Sequence, residues 1–334
     1  MKNFQTATDK SGEFQLKKLF VCLLSVIIIA TCFSACTVTP DTNDKNGTIK
    51  IVTTIFPIYD WAKNVVGSNA QVIYLDESGV DLHSFEPTAN DIIALSDADL
   101  FVCIGGASDK WVDNAVSSSS NSDLKVIKLM EETGVLEEET VEGMENEVHD
   151  HEHNDTDIIE YDEHIWLSLK KAQIAVNSIS DTLCSIDNKN ADIYRNNANK
   201  YIAELKELDR KYESAISSNE NKTLLFADRF PFRYMVEDYG LDYYAAFPGC
   251  SAESEASFET LTFLIEKTKE LNLKNIIMLE SSDGKIASTI SSETGATILT
   301  LNSCQSVKRE DANKGLTYIS IMESNLKVLT EALG

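Results

Sequence analysis

ADIYRNNANKYIAELKELDRKYESAI, residues 191–216, is the stretch on which the fold turns. It has no glycine or proline, and its apolar residues recur at helical spacing, so it reads as one helix about 39 Å long at 1.5 Å per residue. Strand–helix alternation stands on both sides of it. Upstream, 48–56 (TIKIVTTIF), 71–75, 100–104 and 124–129 read as strands, with helices over 58–66 and after Thr88, whose partner Asp91 completes a capping box. Downstream, 223–227, 241–247, 275–279 and 296–301 read as strands, with helices to 238 and over 258–271, 285–292 and 317–333. Alternation in each half predicts an α/β protein of two lobes, each a mostly parallel sheet flanked by helices, joined by a long rigid helix. The expected boundaries are 48–170 for the first lobe, 171–221 for the linking helical segment and 222–334 for the second lobe.

The chain opens on a targeting signal. Lys17 and Lys18 precede an apolar run that ends in Thr31-Cys32-Phe33-Ser34-Ala35-Cys36, a positive region, a short hydrophobic region and a small-residue cleavage site. Ser-Ala-Cys resembles the lipobox of bacterial lipoproteins, which makes 1–36 a signal peptide and Cys36 a lipid-bearing mature N-terminus. Phe33 departs from the usual aliphatic residue there. The other reading, an N-terminal transmembrane anchor, asks 19–35 to do what takes roughly 20 residues. Both readings put the domain outside the cytoplasmic membrane, with membrane contact through the N-terminus. Residues 37–47, rich in Thr, Asn and Asp, read as a flexible tether.

Beyond Cys36 there are 25 basic and 52 acidic residues, a net charge of −27. Such a surface argues against nucleic acid and anionic lipid as partners and suits a cationic ligand. Cys103, Cys184, Cys250 and Cys304 lack CxxC spacing, which argues against a structural zinc cluster. Cys103 reads as core, and a Cys250–Cys304 disulfide is left open.

The five histidines are His83, His149, His151, His153 and His164. Three of them lie in 131–163, a segment with 15 acidic residues and no lysine or arginine, which reads as a mobile surface loop. Imidazole flanked by carboxylates is the usual way to hold zinc-like ions. In open parallel sheets ligands bind beyond the carboxyl ends of strands. The polar residues there are Asp81 and His83 in the first half and Asp228, Glu280 and Asn302 in the second, and His164 opens the helical stretch after the acidic loop. Two imidazoles and one or two carboxylates brought to one edge would make an N/O metal site between the lobes.

These residues resemble a known family, the zinc- and manganese-binding receptors of bacterial ABC importers (the ZnuA/TroA-like superfamily). The motifs are Ile51-Val52-Thr53-Thr54-Ile55-Phe56-Pro57-Ile58, Asp81-Leu82-His83-Ser84-Phe85-Glu86-Pro87-Thr88, the acidic histidine loop, Glu163-His164-Ile165-Trp166-Leu167, Tyr239-Gly240-Leu241 and Lys285-Ile286-Ala287. The resemblance implies a monomeric receptor that delivers its ion to an ABC permease and its ATPase. It makes His83 the first ligand and His164 the second. The family's third ligand, His for zinc and Glu for manganese, falls about ten residues before the Tyr-Gly-Leu element. Asp228 is the candidate there, one residue out of register. The fourth, usually a carboxylate, falls at Asn302, with Glu280 or water available to complete the shell.

A His₂-carboxylate set favours zinc over calcium or magnesium. Asp228 in place of a third histidine pulls toward manganese, and the loop histidines His149, His151 and His153, read as transient capture sites, pull back to zinc. Affinity is expected to fall as pH drops below about 6, because the ligands must be deprotonated. A zinc hydrolase would use a similar shell, but the chain has neither HExxH nor G-x-S-x-G, so it reads as no enzyme. A surface lipoprotein that buffers metal or adheres to host material is the remaining rival.

Overall fold

The computed structural model describes residues 48–119, 121–145, 160–251, 255–305 and 307–334. Cys36, the tether and His149, His151 and His153 lie outside the described residues. Two four-stranded parallel sheets form within Thr48–Gly334, one compact unit. The first is ordered β2–β1–β3–β4, from β1 (Ile49–Thr53), β2 (Ala70–Tyr74), β3 (Leu100–Cys103) and β4 (Lys125–Lys128). Helices α1 (Phe56–Val66), α2 (Ala89–Ser96) and α3 (Lys110–Ser118) make the crossovers, and α4 (Leu129–Thr133) closes this half. Central strands such as β1 and β3 are apolar on both faces, as sheets covered by helices on both sides require.

Two helices follow, α5 (Leu169–Ile186) and α6 (Ala191–Ser217). Asp187 breaks the chain between them by accepting from Asn190 Nδ2 at 2.7 Å and Tyr194 Oη at 2.6 Å. The second sheet repeats the first order as β6–β5–β7–β8, from β5 (Thr223–Phe230), β6 (Asp242–Pro248), β7 (Asn275–Leu279) and β8 (Thr297–Leu301). Around it run α7 (Arg233–Tyr239), α8 (Phe258–Glu270), α9 (Lys285–Thr294), α10 (Arg309–Asn313) and α11 (Tyr318–Leu333). Among the described residues no helix is long and apolar enough to cross a membrane.

One continuous core runs from the first sheet through α1, α5 and α6 into the second, with Trp61, Trp166, Tyr194, Tyr212, Phe226 and Tyr318 buried in it. Truncating an aromatic of this size costs about 3–5 kcal/mol. The long helix α6 is bonded to both halves. Tyr201 Oη donates to Asp60 Oδ2 on α1 at 2.8 Å, and Tyr212 Oη donates to Met322 O on α11 at 2.6 Å. Burial, only partly offset by the Tyr201 bond, pushes Asp60 up to about 6. The halves also bond directly: Tyr74 Oη donates to Val307 O at 3.0 Å and Trp166 Nε1 to Ser303 O at 2.8 Å.

Three local expectations change. Helix α1 begins at Phe56, two residues early, because Pro57 sits comfortably in a first turn whose N–H groups have no acceptor within the helix. Strand β5 runs on through Asp228 to Phe230, with a register shift against β6 between Phe226 and Arg229. The acidic segment is anchored at both ends. Glu138 N donates to Glu160 O, Asp162 N to Leu136 O and Glu145 N to Ala246 O, and Asp162 and Glu163 are buried.

Candidate metal site

His83 lies in the turn Leu82–Ser84 after β2, and Asp81 starts that turn by accepting from His83 N through Oδ1 at 3.0 Å. His83 Nδ1 is 2.8 Å from Ser108 Oγ, in the turn after β3. Ser108 is held in turn by Glu163, whose carboxylate oxygens accept from Ser108 N at 3.0 and 3.1 Å. Gly106 admits that carboxylate, since a Cβ there would stand 2.5 Å from Glu163 Cδ.

His164 is fully buried just before the turn Ile165–Leu167. Asp162 Oδ1 accepts from His164 N at 2.7 Å and lies 3.1 Å from Nδ1. The ring packs on Trp166, centroids 5.1 Å apart. With both Nδ1 atoms engaged, the two Nε2 atoms face each other at 3.4 Å. Two lone pairs at that distance require something positive between them, a proton or a metal ion. Burial and the neighbouring His164 push His83 down to about 4. Burial alone would also lower His164, but Asp162 beneath it raises it overall. Of the two rings, Asp162 therefore makes His164 the one that holds a proton more tightly.

The third donor near the pair is Cys250. Among the described residues, His83, His164 and Cys250 are the one group of three or more His, Cys, Asp or Glu whose donor atoms all lie within 4.8 Å of one another. Cys250 sits in the turn after β6, half-buried, with its N–H donated to Glu138 Oε1 at 3.1 Å. Gly249 lets this turn ride on the imidazole, since a Cβ there would lie 3.0 Å from His164 Cε1. Burial, with Glu138, Asp162 and Glu163 nearby, pushes the Cys250 thiol up. Cys250 and Cys304 are both free, and Cys304 packs on Met322 Sδ at 3.9 Å.

The other sequence candidates are engaged with backbone donors of their own sheet. Asp228 lies inside β5, and its oxygens accept from Arg229 N at 2.8 Å and Leu279 N at 3.2 Å. Glu280 accepts from Ser303 N at 2.9 Å and Ser303 Oγ at 2.7 Å. Asn302 Oδ1 accepts from Cys304 N at 2.7 Å. Next to Asp228, Arg229 spans to the first half, donating to Asp81 Oδ2 at 2.8 Å and to Ser251 O at 3.4 Å. Arg229 is also the residue ten before Tyr239, where the resemblance looks for a third ligand.

Sequence reasoning passed over Cys250, Ser108, Asp162 and Glu163. The strand-end rule that found His83 would have found Cys250, two residues past β6, had it been applied to sulfur as well as to oxygen and nitrogen. Nothing in the sequence marks Ser108 as the partner of a histidine 25 residues away.

Two parallel sheets carrying an imidazole pair at their joint edge define a metal-binding receptor of two α/β halves. A family profile described as "Zinc-uptake complex component A periplasmic" matches residues 51–332, and the chain belongs to that family. The high-affinity zinc uptake system protein ZnuA of Bacillus subtilis is 32% identical over 317 residues, covering 94% of this chain and 97% of ZnuA. The zinc-binding lipoprotein AdcA of Streptococcus pneumoniae is 31% identical over 309 residues, 92% of this chain but 60% of AdcA. Among solved structures, the metal-dependent lipoprotein YcdH of Bacillus subtilis superposes with a TM-score of 0.72 at 31% identity, covering 86% of this chain and 100% of YcdH. The Zn(II)-bound ZnuA-like domain of AdcA superposes with a TM-score of 0.69 at 30% identity, covering 86% of this chain and 99% of the domain. The laminin-binding protein Lmb of Streptococcus agalactiae, described as a bifunctional protein with adhesin and metal transporting activity, gives a TM-score of 0.70 at 26% identity, covering 86% of this chain and 100% of Lmb.

Proposed function

We propose that this chain is an extracytoplasmic zinc receptor that binds the ion on His83 and His164 and delivers it to an ABC permease powered by its ATPase. One observation carries the reading. At Zn–N distances of 2.0–2.1 Å, the edge of a tetrahedral site is about 3.3–3.4 Å, and the two Nε2 atoms stand 3.4 Å apart. Their rings are already aimed by Asp162 and Ser108, the outer partners that ligand histidines need. The zinc-binding names of the relatives support the choice of ion, with manganese as the alternative. Lipid on Cys36 would hold the receptor at the membrane, and His149, His151 and His153 would raise the local zinc concentration. The likeness to Lmb favours adhesion as a second activity of the same surface-held protein.

The test is titration of the metal-stripped full-length chain with zinc and manganese, with elemental analysis of the bound ion. Tight one-to-one zinc binding that is lost in His83→Ala is expected. Binding that survives in His83→Ala and disappears only on deletion of 149–153 would replace the receptor with a surface buffer. Tighter manganese binding would keep the transport role and change the ion.

A further inference from the structure

Resting on the zinc-receptor reading above, we infer that Cys250 is the third donor to the captured ion, binding it as a thiolate in a His₂Cys site. The cluster geometry comes first. With Zn–S at 2.3 Å, the N–S edge of a tetrahedral site is about 3.6 Å. Cys250 Sγ already lies within 4.8 Å of a ring nitrogen of each histidine, so each of those N–S distances need shorten by no more than ~1.2 Å. That turn is positioned for it, pinned by Glu138 at the Cys250 N–H and seated on the His164 ring at Gly249.

Competition for the position comes second. The carboxylates of Asp228 and Glu280 and the amide oxygen of Asn302 are satisfied by backbone N–H groups and a hydroxyl of their own sheet. Turning any of them to the ion would strand a donor at about 1–3 kcal/mol. Cys250 Sγ faces the Glu163 N–H, and a metal-bound thiolate keeps lone pairs to accept it, while the Cys250 N–H is held independently by Glu138.

Charge comes third. Arg229 fixes a permanent positive group at the same edge, tied to Asp81. Asp81 balances that guanidinium, so two neutral imidazoles would bring no charge of their own to the shell of a divalent ion, whereas a thiolate removes one unit. On binding, the thiol proton leaves to solvent as the metal–sulfur bond forms, so the ion and the proton exchange one for one at sulfur. Thiolate in the shell selects zinc and other soft or borderline ions against manganese.

Cobalt(II) is the probe. Metal-stripped full-length protein loaded with cobalt should show a sulfur-to-cobalt charge-transfer band in the near ultraviolet, absent in both Cys250→Ser and Cys250→Ala. Zinc affinity should fall more than about a hundredfold in Cys250→Ala, beyond the 10–100-fold cost of losing an outer partner, and discrimination against manganese should narrow. Thermal unfolding of the metal-free variants should match the wild type, which separates ligand loss from misfolding. A band that persists in Cys250→Ser overturns the inference. So does zinc affinity unchanged in Cys250→Ala while His83→Ala loses it, and that result leaves the receptor reading intact. Affinity unchanged in His83→Ala overturns the receptor reading itself.

Discussion

The two sheets share one strand order, yet their carboxyl edges do opposite work. The first edge offers its side chains outward: His83 faces His164, and Ser108 steers it from the neighbouring turn. The second edge turns its carboxylates inward, where Asp228 and Glu280 satisfy N–H groups at Leu279, Arg229 and Ser303. What that second edge presents is Arg229 and Cys250. A polar residue beyond a strand is therefore available to a ligand only when the backbone of neighbouring strand ends does not claim it first.

The largest expected effect breaks the first edge. His164→Ala should lower zinc affinity well beyond the about 10–100-fold typical of an outer partner, measured by competition with a chelator. Ser108→Ala and Asp162→Ala, which only loosen a ring, should fall within about 10–100-fold. On the second edge, Asp228→Ala should leave zinc affinity nearly unchanged. It should instead cost about 1–3 kcal/mol of stability in denaturant unfolding, because Leu279 N–H loses its acceptor. An affinity loss in Asp228→Ala as large as that of His164→Ala would erase the difference between the edges.

The pH dependence sharpens the same contrast. His164 sits above its ordinary 6.5 because of Asp162, while burial and the neighbouring His164 hold His83 down to about 4. Zinc must displace the His164 proton, so affinity should fall by about tenfold per pH unit once pH drops below that raised value. The decline starts higher than an unperturbed histidine would give, and His83 adds nothing until about pH 4. If Cys250 also yields its proton, the slope approaches two protons per ion, and Cys250→Ser returns it to about one. Calorimetry in buffers of different ionisation enthalpy counts those protons directly.

The contrast also explains what could be read in advance. Strand–helix alternation and the uninterrupted 191–216 stretch carry local signals, apolar runs and helical spacing, so both sheets and the long helix were legible from the sequence. His83 and His164 were singled out together by the family motifs around them, and the structure brings their Nε2 atoms to 3.4 Å. Asp228 misled because β5 extends past 227 with a register shift, a tertiary effect of pairing with β6 and β7 that no local pattern encodes. Cys250 hid because its role depends on a turn held by Glu138, 112 residues upstream in the acidic segment.

The smallest expected effect concerns an ion pair that joins the two edges, Arg229 with Asp81. Arg229 lowers Asp81 overall, against the opposing pull of burial. A depressed carboxyl stabilises the fold above its unfolded value of 3.8, and the contribution is lost as pH falls through the lower folded value. Arg229→Gln should therefore cost about 1 kcal/mol at neutral pH, a gap that closes on acidification, read from urea unfolding at a series of pH values. Its effect on zinc separates two roles. If Arg229 acts on the site as a repelling charge, Arg229→Gln raises zinc affinity severalfold and flattens its dependence on salt. If Arg229 acts by bracing Asp81, and through it the His83 turn, affinity falls instead, and Asp81→Asn reproduces the fall.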